Sequence, residues 1–492
     1  MSSSAGSLIP LFKIKVEEKG KIKDIKEIIV RIEGLPTCLN GQIVKLGDGV
    51  KGIIMGFDDE EVMALTLGDA GRLRMGGEVI GVSEPFRIPV GSSCLGRMVT
   101  ALGEPCDGGA EIPEEEQMPV FRDSPPIIAR ATINDYLPIG TKIVDMLIPI
   151  ARGQRQLILG DRVTGKTAIA IDAILAQRGN KMVCVYCCVG KSMSALQKVA
   201  SALQENGAFS DTVMVVATDN SPAGEQYIVP FSAASVADFF AKRGHHVLVV
   251  FDDLTKHAWA YRQLSLLLER PPGREAYPGD IFYVQTQLME RAGMFNEKYG
   301  GGSITFLGIA ETLQNDLTGY IPSNLSSMCD GQVVLSSAFF AEGARPAVDM
   351  TTSLSIVGGR TQPPIMRHLA RNLRADWAHF NEVARLSKLS SGVSDEAADI
   401  VKKGLVIQIL FQQNEREPVS VGQNILLLFA VDSNVLNNLP KERQRAFCRE
   451  IFSFVEARDE GLVQELENAV ELTPDLAERM KGVIDAYLSQ SE

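Results

Sequence analysis

The stretch "GDRVTGKT", residues 160–167, spaces two glycines, a lysine and a hydroxyl in the GxxxxGK[ST] pattern of a phosphate-binding loop. Gly160 and Gly165 let the backbone curl so that the N–H groups of the segment Asp161, Arg162, Val163, Thr164, through Thr167 and Ala168, converge on phosphate oxygens. A helix starting at the end of the loop adds partial positive charge. Lys166 is expected to reach the β- and γ-phosphates, and the Thr167 hydroxyl to ligate Mg²⁺. The second half of such a site is an acid at the end of a neighbouring strand. "VLVVFDD" runs apolar residues into Asp252 and Asp253, and Asp252, the first to leave the strand, is the expected partner of Mg²⁺ through water. Thr167 and Asp252 are therefore the candidate metal residues.

This chemistry needs a strand before the loop and a helix after it. "RQLILG" reads as the strand. "KTAIAIDAILAQRG" reads as the helix, with Ala168, Ile171, Ile174 and Leu175 on one face and Gly179 as its C-terminal cap. "VCVYCCV", "TVMVVAT" and "HHVLVVFDD" are further apolar strands with helical segments between them, the rhythm of a parallel sheet wrapped by helices. Upstream, from about residue 11 to 89, short strands and tight turns predict a small β-barrel or sandwich. There Ile28, Val30 and Ile32 are expected on one side of a strand, with turns at Gly47-Asp48-Gly49 and Asp58-Asp59. The connector "GEPCDGGAEIPEEEQMPVFRDSPP" reads as a solvated linker. Past about residue 370 the pattern is helical. Ser394 is expected to cap one helix and Thr473 another, with Pro474 at its first position. The fold class is thus a multidomain α/β chain: a β-barrel at 1–90, a P-loop α/β domain with a mostly parallel sheet at 91–370, and a helical bundle at 371–492.

Composition narrows the possibilities. Forty-nine Lys and Arg against 61 Asp and Glu give a net charge of −12, poor footing for a nucleic-acid binder working by bulk charge. The eight cysteines lack framework spacing and no signal peptide is seen, so a reduced, intracellular setting is expected. Cys184 and Cys187 have the CxxC spacing, but an odd offset on a strand puts the thiols on opposite faces, where they are packing groups. No apolar run approaches the ~20 residues needed to cross a bilayer.

The stretches "IPIARGQRQLILGDRVTGKTAIAID", "DDLTKHAWAYRQLSLLLERPPGREAYPGDIFY" and "ETLQNDLTGYIPSNLSSMCDGQVVL" resemble the alpha subunit of F-type ATP synthases. The likeness runs from about residue 25 to the C-terminus and is densest between Gly140 and Gln362. The Asp-Arg pair inside the loop favours alpha over the catalytic beta subunit, whose loop is richer in glycine. The resemblance implies bound ATP or ADP with Mg²⁺ and an alternating hexamer with catalytic beta subunits around a central-stalk subunit. It places the chain at the periphery of the cytoplasmic side of a membrane, bacterial-type inner membrane by analogy, connected to the H⁺- or Na⁺-driven membrane rotor only indirectly. It also implies an adenine pocket at Phe340, Arg345 and Gln413, with Glu415 in place of a second glutamine. The N-terminus is shorter than the helical arm by which family members bind the peripheral stalk, so that contact is not carried over.

Hydrolysis needs a group that orients or deprotonates water, usually a carboxylate. In catalytic relatives a glutamate follows the strand after the P-loop helix, just past a glycine. Here Gly190 is followed by Lys191, where the alpha family commonly has glutamine. An ammonium cannot act as the base, so no catalytic residue is assigned. Val163 stands where the alpha loop has glutamine. In "DMTTSLSIVGGRTQ" the family carries Ser-Arg-Val-Gly, whose arginine reaches across the interface to the beta site; Ser355, Val357 and Gly358 align, and Ile356 occupies the arginine position. Such a finger is worth roughly 10³–10⁵ in rate. Arg360, four residues on, is the candidate substitute. The leading reading is the regulatory, nucleotide-binding alpha subunit of a rotary ATP synthase. The alternatives are a structural nucleotide-holding ring subunit of a non-standard ATPase complex and a hexameric nucleic-acid translocase.

Overall fold

The computed structural model describes residues 17–58, 60–387, 395–437 and 439–490. Ser394, Asp59 and the N-terminal segment discussed above lie outside the described residues.

Six antiparallel strands close into a barrel in the order Glu17–Lys26, Ile29–Glu33, Val62–Leu67, Lys51–Phe57, Gln42–Lys45, Glu78–Pro85. Its interior is filled by alternate residues such as Val30, Ile32, Val44, Ile54 and Ala64. Ile28 does not join Val30 and Ile32. It precedes the strand, behind the positive-φ Glu27, and packs on the outside against the core of the next unit. Gly47, Asp48 and Gly49 all have positive φ, and the turn closes with Val50 N–H donating to the Gly47 carbonyl at 2.9 Å.

The connector is more ordered than a solvated linker. Glu116–Pro119 pairs antiparallel with Arg87–Val90, and Met98–Thr100 forms the edge of the main sheet. Arg97 is bonded to Asp107 through Nε at 2.6 Å and Nη2 at 2.8 Å, a bidentate clamp invisible to a composition argument. Glu111, Glu114 and Glu115 of the acidic run are exposed, as expected.

Among the described residues the main sheet has nine strands. The parallel run is Gly331–Leu335, Arg155–Gly160, Ser303–Glu311, His246–Asp252, Val183–Lys191, Thr212–Thr218, Met98–Thr100; the short strands Leu354–Ser355 and Gly293–Met294 are antiparallel. Period-2 alternation sorts its side chains into two cores. Cys184, Tyr186 and Cys188 pack with Ile158 on one face; Val185, Cys187 and Val189 pack with Leu157 and Leu159 on the other. The two thiols of the CxxC spacing therefore sit on opposite faces, both buried and unbridged. The first face continues without a break into the C-terminal helices through Ile425, Leu427, Phe447 and Ile451. The second is covered by the long helix Ala223–Ala241. Arg291, about 1% exposed, crosses the base of this layer to Asp238, Ser235 and the carbonyls of Val120 and Phe231. A guanidinium so deeply buried persists because its two terminal nitrogens are matched by these acceptors, while its Nε is buried without a partner.

Among the described residues six helices follow residue 370, from Leu373–Ser387 to Pro474–Gln490. Thr473 caps the last one, its Oγ1 accepting from Leu476 N–H at 3.3 Å, with Pro474 at the first position.

Candidate nucleotide-binding site

The strand Arg155–Gly160 enters the loop and the helix Lys166–Leu175 leaves it. The helix ends at Leu175, four residues before Gly179. Gln177 reaches back from the following turn to the carbonyls of Pro138 and Ala173, so the end is pinned by a side chain and not by a glycine cap. Ala168 and Ile171 face the cavity, while Ile169, Ala170, Ala173 and Ile174 take the core.

Two backbone features shape the loop. Gly165 has φ +100°, a conformation side chains rarely adopt. Val163 has φ +63° and is 83% exposed; a β-branched residue there is a true outlier, costing on the order of 1–2 kcal/mol. Such strain concentrates where a loop must present its N–H groups.

The loop opens on a cavity of about 850 Å³, bordered by Arg162, Val163, Gly165, Lys166, Thr167 and Ala168 on the loop side, and by Lys191, Asp252, Asp253 and Glu311 at the strand ends. Ligands in open parallel sheets bind at this edge, outside the carboxyl ends of the strands. The Lys166 ammonium donates to the carbonyls of Gly160 at 2.8 Å and Asp161 at 2.6 Å, and burial lowers its pKa. Asp161 is a loop fastener: its carboxylate accepts from Thr312 Oγ1 at 2.7 Å and Asn315 N–H at 2.9 Å. Thr164 Oγ1 closes the loop on the Asp161 carbonyl at 2.8 Å. Arg162 is paired with Glu311, Nε to Oε2 at 3.1 Å.

Thr167 and Asp252 lie side by side. Thr167 Oγ1 donates to Asp252 Oδ2 at 2.9 Å, and the Tyr186 hydroxyl donates to the same oxygen at 2.7 Å. Asp252 is 1% exposed and its Oδ1 is buried without a hydrogen-bond partner. The cation standing on this pair is Lys191, whose Nζ donates to Thr167 Oγ1 at 2.8 Å and Asp252 Oδ2 at 2.5 Å. The oxygens are of the right kind for Mg²⁺, but the ammonium is bonded to both residues, so the pair does not stand open to a metal.

Neighbouring Asp253 caps the helix Leu254–Leu267 by accepting from Lys256 N–H at 2.7 Å. Burial, reinforced by Asp252, pushes its pKa up to about 7. Lys256 lies over the Trp259 ring at 4.6 Å from its centroid.

The residues expected to border adenine lie together at one end of the cavity. Phe340, Arg345 and Gln413 border a narrow space of about 40 Å³ that shares Gly165, Ala168 and Phe340 with the main cavity or loop. Arg345 stacks on Phe340 at 3.5 Å from the ring centroid. The Gln413 amide is engaged with the chain itself: Oε1 accepts from Lys142 N–H at 2.8 Å, and Nε2 donates to the carbonyls of Gly140 at 2.7 Å and Glu417 at 2.8 Å. Glu415 borders both spaces, beside Arg416. Asp172 also faces them, and burial pushes its carboxyl up to about 7 despite the Arg416 N–H it accepts at 2.8 Å.

Ile356 and Arg360 do not border the cavity. Both are exposed at the far edge of the sheet, beside the strand Leu354–Ser355. The segment is fixed: Ser355 Oγ donates to the Pro149 carbonyl at 2.6 Å, and a Cβ on Gly358 would lie 1.6 Å from that same oxygen. This anchor sets the register that leaves Ile356, 69% exposed, at the outward position.

Glu311 and Lys191 are among the site residues that escape a reading of the sequence. Glu311 ends a strand that neighbours the loop strand in the sheet but lies 150 residues away along the chain. Lys191 is recognisable as a non-carboxylate, but nothing in its spacing announces that it grips the metal pair.

The comparisons agree with this geometry. Residues 140–355 match the ATP synthase alpha/beta family, nucleotide-binding domain, and residues 362–487 match the ATP synthase alpha/beta chain, C terminal domain. The chain is 42% identical over 430 residues to ATP synthase subunit alpha 2 of Nitrosospira multiformis, covering 87% of this chain and 84% of the relative. It is 40% identical to ATP synthase subunit alpha 1 of Marinomonas sp. over 458 residues, 93% and 90% of the two chains. With ATP synthase subunit alpha of Clostridium acetobutylicum it shares 38% over 475 residues, 96% and 94%. With relatives this similar aligned along most of its length, and a phosphate loop seated at the edge of a parallel sheet between a barrel and a helical bundle, the chain belongs to the ATP synthase subunit alpha family.

Proposed function

We propose that this chain is the regulatory, largely non-catalytic nucleotide-binding subunit of a rotary F-type ATP synthase or ATPase. In this reading it holds ATP or ADP and alternates with catalytic beta subunits in a ring of six around a central stalk. The ring lies peripherally on the cytoplasmic side of a membrane and couples ATP synthesis or hydrolysis to ion transport. Among the described residues no helix is long and apolar enough to cross a membrane, which fits attachment through partners.

The observation that carries the non-catalytic assignment is Lys191 in the place of a water-activating carboxylate, with its ammonium turned onto Thr167 and Asp252. Of the other carboxylates at the cavity, Glu311 is paired with Arg162, Asp253 caps a helix and Asp172 accepts from Arg416 N–H, while Glu415 stands at the Phe340 end of the space. What the residues do well is grip: loop N–H groups and the helix N-terminus face the phosphates, and Lys166 exchanges its carbonyl partners for phosphate oxygens. The Mg²⁺ expected to accompany the nucleotide meets Lys191 on the residues meant to hold it.

A second reading, a structural ring subunit whose nucleotide serves folding and interface stability, is favoured by one observation. Ile356 is held outward by the Gly358–Pro149 contact, and that contact also opposes the loop shift Arg360 would need. A nucleic-acid translocase is disfavoured by the net charge of −12.

The test is co-assembly with the beta-type chain of the same source. The reading expects a six-membered ring in which Lys166→Ala removes the nucleotide retained on this chain but leaves initial ATP turnover within a few-fold of wild type. Loss of turnover in the assembled Lys166→Ala ring to the level seen when the beta site itself is disabled would contradict it.

A further inference from the structure

The strand Val183–Lys191 alternates strictly as far as Val189, with Tyr186 and Cys188 toward the nucleotide side and Val185, Cys187 and Val189 away from it. Continued alternation would send Lys191 to the far face. It does not go there, because the register against Thr212–Thr218 slips by one residue between Val189 and Lys191. Gly190 sits in that slip at φ +61°, and a Cβ there would lie 2.9 Å from Gln226 Oε1. The bulge re-aims the next side chain, a recurrent use of bulges beside binding sites. Lys191 is thereby turned onto the face of Tyr186 and bonded to the two residues the phosphate loop and the acidic strand end provide for a cation.

The charge balance favours this placement. Asp252 is almost fully buried, and a buried carboxylate needs a partner charge and donors. Its Oδ2 receives three: Thr167, Tyr186 and Lys191. Mg²⁺ demands near-octahedral oxygen ligands at about 2.0–2.1 Å. An ammonium 2.8 Å from Thr167 Oγ1 and 2.5 Å from Asp252 Oδ2 occupies the same corner. Lys191 also borders the cavity, so its remaining donor capacity faces the space the phosphates would fill.

We propose that Lys191 is a tethered substitute for the metal ion, so that this chain binds nucleoside di- and triphosphates without requiring a divalent cation. The inference rests on the nucleotide-holding role given above and deepens it. The cation comes with the chain, and nucleotide retention is uncoupled from the metal supply.

The experiment is equilibrium binding of ADP by calorimetry to the purified, nucleotide-stripped full chain, in excess Mg²⁺ and in excess EDTA. Mn²⁺ binding is read separately by electron paramagnetic resonance with saturating ADP. For wild type the two dissociation constants should agree within about threefold, and Mn²⁺ should stay free. For Lys191→Gln, affinity in EDTA should fall at least about tenfold below that in Mg²⁺, with roughly one Mn²⁺ taken up per nucleotide. A wild type that loses tenfold or more in EDTA, or that takes up Mn²⁺ with ADP, overturns the proposal. So does a folded Lys191→Gln chain as indifferent to Mg²⁺ as wild type. If that variant fails to fold, the wild-type arms decide alone. No ADP binding under either condition would instead sink the nucleotide-holding reading on which the proposal stands.

Discussion

Lys166, Val163 and Asp172 show three kinds of residue at one site. On the proposed reading Lys166 anchors the phosphates, so Lys166→Ala should weaken ADP binding at least about a hundredfold, on the order of 3 kcal/mol, in the same calorimetric titration. Val163 carries strain without packing, since it is exposed at φ +63°. Val163→Gly is expected to raise the melting free energy by about 1 kcal/mol in denaturant unfolding. Asp172 binds its proton more tightly in the fold than in the unfolded chain, its carboxyl being raised by burial from 3.8 to about 7. Over that interval the folded state holds the extra proton, so stability falls as pH rises from about 4 to about 7. Asp172→Asn keeps the acceptor for Arg416 N–H and should flatten part of this slope in pH-dependent urea unfolding. The loop residues are legible in the sequence because their chemistry is contiguous. Asp172 is not, because its burial comes from the chain around Arg416, some 240 residues on.

At the scale of elements, alternation predicted the strands well and failed where one residue slips. Cys184 and Cys187 lie on the opposite faces expected of them, because nothing interrupts period 2 between them. Lys191 lies on the face opposite to that expected from Val189, because Gly190 interrupts it. The order in the connector is hidden from its composition because its pairing partners, Arg87–Val90 and Arg97, lie outside the acidic run itself. Two element contacts are firm enough to predict. Gly358→Ala puts a Cβ 1.6 Å from the Pro149 carbonyl oxygen. Relieving that overlap should cost about 3 kcal/mol, measurable as a lower urea midpoint. Arg291→Ala leaves Asp238 buried with Arg122 as its one ion partner among the described residues, and should cost about 3–5 kcal/mol.

For the whole molecule, one core runs from one face of the sheet into the C-terminal helices. The outward Ile356 belongs to this scale, since on the proposed reading it faces a partner subunit. In the assembled ring, Ile356→Arg should raise ATP turnover by tenfold or more, within the roughly 10³–10⁵ range such arginines supply elsewhere. Arg360→Ala should leave it unchanged; a large drop would mean Arg360 has taken over the missing role. The most direct measurement for the central claim follows the fate of ATP bound to the isolated chain. Radiolabelled ATP is loaded onto purified wild-type protein, unbound label is removed, and the bound nucleotide is sampled by acid quench over hours. The label should stay ATP, at the rate of a buffer control. Steady conversion to ADP and phosphate that disappears in Lys166→Ala would contradict the claim that this chain grips nucleotide without breaking it.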